Sequence, residues 1–171
     1  TWYYVWVIYN GATVASLLST SATAPTMPSG YTYKARVGSV YNNASSNFVG
    51  FYQVGKTTYY DTYISVLSAG SATTFTSVSL STQVPSIATT VTALLYCRGD
   101  TTSNIAAACY AGYDGTNETN FTVTRYSSTG PDYSKDSNVS TFPLKTAQTI
   151  YYYVANTYLD LDIYVICYTN P

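Results

Sequence analysis

Eight acidic side chains, seven basic ones and three cysteines, with no histidine, are the reactive inventory of this 171-residue chain. Without His there is no Ser-His-Asp or Cys-His catalysis and no imidazole metal site. A cysteine nucleophile would need another base beside it, and none is evident. Carboxylate pairs do occur. Asp160 and Asp162 share one face of a strand, Asp114 and Glu118 share a polar stretch, and Asp132 and Asp136 share another. A glycosidase needs two such groups about 5–10 Å apart across a sugar. Asp114-Gly115-Thr116-Asn117-Glu118, and Asp132 with Asp136 and Asn138, carry oxygen ligands of the kind calcium takes. Neither has EF-hand spacing, and solvated turns account for both. The expectation is a chain with no catalytic residue, no metal and no cofactor.

Arg98-Gly99-Asp100 reads as an Arg-Gly-Asp tripeptide in a loop, where Gly-Asp is also ordinary turn chemistry. Cys97 and Cys109 bracket that loop and could be bonded across a hairpin. The odd count of three in a chain low in cysteine fits intracellular assembly with free thiols slightly better, with Cys167 a small buried hydrophobe. Asn43, Asn117, Asn120 and Asn138 stand in N-x-Ser/Thr sequons, as a chain rich in Asn, Ser and Thr will produce by composition alone.

The elements that must position these groups are strands. There are 21 Tyr, 28 Thr and 20 Ser, and the strong helix formers are scarce, with one Glu, four Lys and one Met. Tyr and Thr suit a pleated, half-buried surface. Apolar and polar residues alternate with period two over 31–41, 75–80, 121–127 and 158–168. Asn10-Gly11 and Gly55-Lys56 mark hairpins, 13–18 is the return strand of the first, and 48–54 pairs with 57–66 in the second. Pro85 marks an edge or corner. Further strands cover 88–97, 105–110 and 149–154, while 68–74 and 128–138 read as loops. About ten strands at this spacing, with no helical period, predict one all-β domain over 1–171, an antiparallel, jelly-roll-like β-sandwich with little or no helix. In the last strand, alternation puts Leu159, Leu161, Ile163, Val165 and Cys167 on the core face and Asp160, Asp162, Tyr164, Ile166 and Tyr168 on the other.

Charge is the second outlier. Charged residues are 9% of the chain and the net charge is −1, against roughly 25% charged in an average domain. Scattered Lys and Arg give no stripe for phosphates, so nucleic acid is excluded as a partner. No apolar run approaches the roughly 20 residues of a membrane span. A surface solubilised by hydroxyls rather than charge tends to self-associate. Trp2, Tyr4, Tyr152 and Tyr164, on strands with two apolar faces, are the expected contributors to an oligomer interface.

Residues 21–40, SATAPTMPSGYTYKARVGSV, form a Pro-punctuated loop that ends at Gly30 and feeds a strand. An aromatic strand ending at Asn10-Gly11, the Leu17-Leu18-Ser19 turn, the loop from Ala24 to Tyr31 and Val37-Gly38 follow in this order. The combination resembles C-terminal domains of tailed-bacteriophage tail fibres and related virion structural proteins, and the resemblance returns at Val84-Pro85 and in the last strand, Ile163 to Tyr168. It implies the C-terminal part of a longer or processed virion protein, homotrimeric and non-enzymatic, assembled in the host cell and carried on the virion. Its partners would be copies of itself and a host-surface glycan or protein. A coat, decoration or filament subunit, and a secreted carbohydrate-binding module, are the alternatives. For attachment, binding is expected in loops at one end of the sandwich. The best segments are 98–104, 113–120 and 128–138, where Arg98, Asp100, Asp114, Asn117 and Asp132 offer polar groups and Tyr113, Tyr126 and Tyr133 offer rings for a sugar's apolar face.

Overall fold

The computed structural model describes residues 1–99, 107–116, 121–125 (backbone only) and 136–171. Every regular element among them is a strand: β1 (Trp2–Tyr9), β2 (Val14–Ser19), β3 (Tyr33–Tyr41), β4 (Phe51–Val54), β5 (Thr57–Gly70), β6 (Thr76–Ser79), β7 (Thr90–Gly99), β8 (Ala107–Gly112), β9 (Phe121–Arg125), β10 (Asp136–Pro143), β11 (Thr149–Val154) and β12 (Leu159–Thr169). They form three antiparallel sheets, in two compact units, Thr1–Phe51 and Tyr52–Pro171. The sandwich expected over the whole chain is the second unit; the first is a three-stranded sheet of its own.

The first unit has the order β2-β1-β3. Its opening hairpin turns where Asn10 accepts from the amides of Ala12 and Thr13 at 2.9 and 2.7 Å and Gly11 takes φ +98°. The Pro-rich segment after β2 ends in a turn closed by Tyr31 N donating to Pro28 O, with Gly30 at φ +85° in the third position, where a side chain would be strained. Arg36 Nη1 donates to Ala22 O at 2.7 Å and ties that segment to β3. Tyr4, Trp6 and Ile8 on one face of β1 are buried.

The second unit pairs as one long ribbon: β5 with β12, β6 with β11, β7 with β10, and β8 with β9. The ribbon wraps so that β12 also lies beside β7 and β11 beside β8. Two sheets result, β10-β7-β12-β5-β4 and β6-β11-β8-β9. This is jelly-roll order, with β4 added as an edge strand. The inner faces carry Val91, Ala93, Leu95, Leu161, Ile163 and Val165 from one sheet and Val78, Ile150, Val154 and Ala111 from the other, all buried. Each large aliphatic side chain there is worth about 1.5–3 kcal/mol of burial.

Three boundaries differ from the sequence reading. β5 continues through Gly70, into the stretch expected as a loop, and packs against the Tyr152 ring so closely that a Cβ on Gly70 would lie 2.7 Å from Tyr152 Cε2. β10 begins at Asp136, inside the expected polar loop 128–138. In β12 the register shifts between Val165 and Cys167. The shift ends the alternation, so that Tyr168 joins Val91 on the core side at 1% exposure, its ring 6.0 Å from that of Tyr60, while Cys167 pairs with Thr92. Cys167 is still buried, as expected.

Candidate functional site

β7 ends and β8, β10 and β12 begin at one end of the sandwich: Asp136 pairs with Cys97, Leu159 with Gly99, and Val154 with Cys109. Two devices brace this end. The first is a disulfide between Cys97 and Cys109, which joins the two sheets across 12 residues of sequence. The second is ionic. Arg98 and Asp160 are directly paired in register, and Arg98 Nε donates to Asp160 Oδ1 at 2.8 Å while Arg98 Nη2 donates to Asp162 Oδ1 at 2.8 Å. Asp162 Oδ1 also accepts from Ala69 N at 2.8 Å, where Ala69 takes the left-handed φ of +51°. The Asp162 carboxylate therefore holds the end of β5, β7 and β12 together. Burial works to lower the Arg98 pKa, but the hydrogen bond and charge of Asp160, with the charge of Asp162 and Tyr164, outweigh it and hold the guanidinium above its ordinary value.

These contacts change the reading of Arg98-Gly99-Asp100. Arg98 and Gly99 are the last residues of strand β7 rather than a loop tip, and the guanidinium is engaged by Asp160 and Asp162. Those two carboxylates face one Arg rather than each other across a cleft, so they are not set as an acid–base pair. Asp100, Asn117, Tyr126, Asp132 and Tyr133 lie outside the described residues. Tyr113 and Asp114 do not join Arg98. They follow β8 at the opposite end, where Asp114 Oδ2 meets Lys145 Nζ at 3.3 Å and Asp114 Oδ1 accepts from Thr116 N at 3.4 Å. The segments 98–104 and 113–120 thus begin at opposite ends of the sandwich, because β8 carries the chain from one end to the other.

Of the four residues expected at an oligomer interface, Tyr4 and Tyr152 are buried in the chain itself, so their rings are already covered. Trp2 and Tyr164 are half-buried, with Trp2 5.2 Å from the Tyr41 ring. A different aromatic group stands on the outer face of the four-stranded sheet. Tyr110 and Tyr153 are cross-strand partners with rings stacked 4.3 Å apart, and Phe75 meets Tyr153 edge-on at 4.6 Å. The alternation of 151–153 shows that Tyr151 and Tyr153 share a face, but only the β8–β11 register brings Tyr110 to them. Among the described residues no three His, Cys, Asp or Glu side chains converge as a metal site. What remains among the described residues is a sandwich end braced by one disulfide and one ionic cluster.

No protein-family model matches the chain, and no curated protein matches it.

Proposed function

We propose that the chain is a non-enzymatic domain of a virion appendage, associated with copies of itself, that attaches the particle to a glycan or protein of the host surface. The carrying observation is the nested pairing of β5 through β12. Sandwiches of this order serve in viral capsids and in lectins. Fold alone does not assign function; the resemblance of the 24–31 loop and Val37-Gly38 to tail-fibre domains supplies the direction. The disulfide and the Arg98 network give the end where β7 stops and β10 and β12 start a rigid base, which supports that end as the recognising one.

The test is competition. The isolated chain, added in excess, blocks adsorption of the particle to host cells. Replacing Asp132 and Tyr133 by Ala removes at least nine-tenths of that block, while replacing Tyr113 and Asp114 by Ala leaves it intact. The reverse pattern moves recognition to the opposite end, and a chain that never competes removes the attachment reading. A second reading, a coat, decoration or filament subunit, is favoured by one observation: one face of the first unit's sheet is exposed, apolar and without charge.

A further inference from the structure

We infer that Asn10-Gly11, at the tip of the β1–β2 hairpin, is a self-modification site whose turn carries its own oxyanion hole, so that Asn10 loses ammonia to a cyclic imide and opens to aspartate or isoaspartate. Asn10 is the one Asn in the chain that Gly follows. Residues 9–14 are all exposed. Asn10 Oδ1 accepts from two backbone amides at once, Ala12 N at 2.9 Å and Thr13 N at 2.7 Å. Asn10 N donates to Thr13 O at 3.3 Å, and Tyr9 Oη donates to Gly11 O at 2.5 Å. None of these turn bonds uses the Gly11 amide, and a Cβ on Gly11 would meet nothing within 4 Å. One exposed turn thus holds an unengaged amide nitrogen, a fixed carboxamide and open space around both.

The chemistry is an intramolecular acyl transfer. Hydroxide from solvent takes the proton of Gly11 N. The nitrogen pair attacks Asn10 Cγ and closes a five-membered ring, a step that proximity favours strongly. As the N–Cγ bond forms, the π pair of the Cγ–Oδ1 bond moves onto Oδ1. That oxygen becomes an anion, and the Ala12 and Thr13 amides already point at it. Hydrogen bonds to an ionised acceptor are roughly twice as strong as neutral ones, so the two donors hold the intermediate more tightly than the starting amide. The oxyanion collapses, the Cγ–Nδ2 bond breaks, and Nδ2 takes a proton from water and leaves as ammonia. Water then adds to one imide carbonyl. Breaking the new N–Cγ bond gives aspartate, and breaking the original backbone C–N bond gives isoaspartate. No atom is oxidised or reduced. The following residue separates Asn10 from its nearest analogue. Asn43 Oδ1 is cradled in the same way, by Ser45 N at 2.9 Å and Asn47 N at 3.0 Å, but Ala44 follows it and sets a Cβ beside the attacking nitrogen. Residues 1–51 hold Lys34, Arg36 and no carboxylate, so the reaction gives the first unit its first negative charge, next to the exposed ring of Tyr9.

The experiment ages the 171-residue chain at mildly alkaline pH, folded in one sample and unfolded in urea in another, with trypsin digestion and mass measurement at intervals. Fragment 1–34 carries Asn10 as its one amide side chain. From the folded chain it gains about 1 Da, the exchange of an amide nitrogen for oxygen, and separates into two isomers. Fragment 37–56, with Asn42, Asn43 and Asn47, keeps its mass over the same interval. The unfolded sample gains mass in fragment 1–34 no faster than the folded one. A fragment 1–34 that keeps its mass overturns the inference. So does an equal gain in fragment 37–56, which removes the part played by Gly11. A faster gain in urea also overturns it, since the turn then shields Asn10 instead of activating it.

Discussion

Asp162 shows how much one side chain can organise. Its carboxylate is 4% exposed and one oxygen serves both the Arg98 guanidinium and the Ala69 amide. Removing it leaves a left-handed backbone without its acceptor and a guanidinium with one carboxylate fewer. Asp162→Ala is expected to lower the unfolding free energy by about 2–3 kcal/mol, within the range for orphaning buried hydrogen-bonding partners. Asp160→Ala, at a carboxylate about one-third exposed, is expected to cost about 1 kcal/mol or less because solvent screens that pair. Urea denaturation of the two variants side by side checks the order. The sequence placed both aspartates on one strand face and left their role open among several carboxylate pairs. Their shared cation lies on β7, more than 60 residues earlier, and only sheet register brings it there.

At the scale of elements, alternation was legible wherever one face was core and the other polar. β3, β6, β9 and most of β12 lie where the period-two pattern predicts them, and β1, β7 and β11 lie close to strands expected without it. β10 was missed because its polarity is inverted over half its length: Ser140 is buried while Val139 is exposed. The bulge in β12 was missed for a related reason. Ile166, Cys167 and Tyr168 are apolar on any register, so composition cannot show a slip of one residue. The slip has a measurable effect. Tyr168→Ala is expected to cost about 3–5 kcal/mol, the toll of emptying a buried aromatic site. An unbroken alternation would place this ring outside the core and make the change mild, so thermal unfolding of this one variant distinguishes the registers. The candidate site was legible only in part. Sequence picked out polar segments and the Cys97–Cys109 bracket, but which segments share an end depends on the direction of β8, and a list of strands does not contain that.

For the molecule as a whole, the nested ribbon makes most pairings of the second unit long-range, with β5 meeting β12 about a hundred residues later. Such topologies order slowly, since the loops must close before contacts repay them. The disulfide shortens one of those searches by linking the sheets where β7 crosses to β8. In the chain-entropy account a loop of about this size is worth about 3 kcal/mol. Replacing Cys97 and Cys109 together by Ala is expected to lower the melting temperature by several degrees and to leave the strand content unchanged at 25 °C, as calorimetry and circular dichroism can verify. The low charge of the chain belongs to this scale as well. It offers little electrostatic steering to a distant partner, so recognition by this molecule would be short-range.

Cys97 and Cys109 are both fully buried between the sheets. Among the described residues, neither sulfur is open to an oxidant or a thiol once the sandwich has closed. The bond must therefore be made while the sheets are still apart or during a transient opening, and a molecule that closes first keeps two shielded thiols. Two populations with the same fold and different sulfur chemistry can then persist side by side, each recording the redox conditions in which it folded.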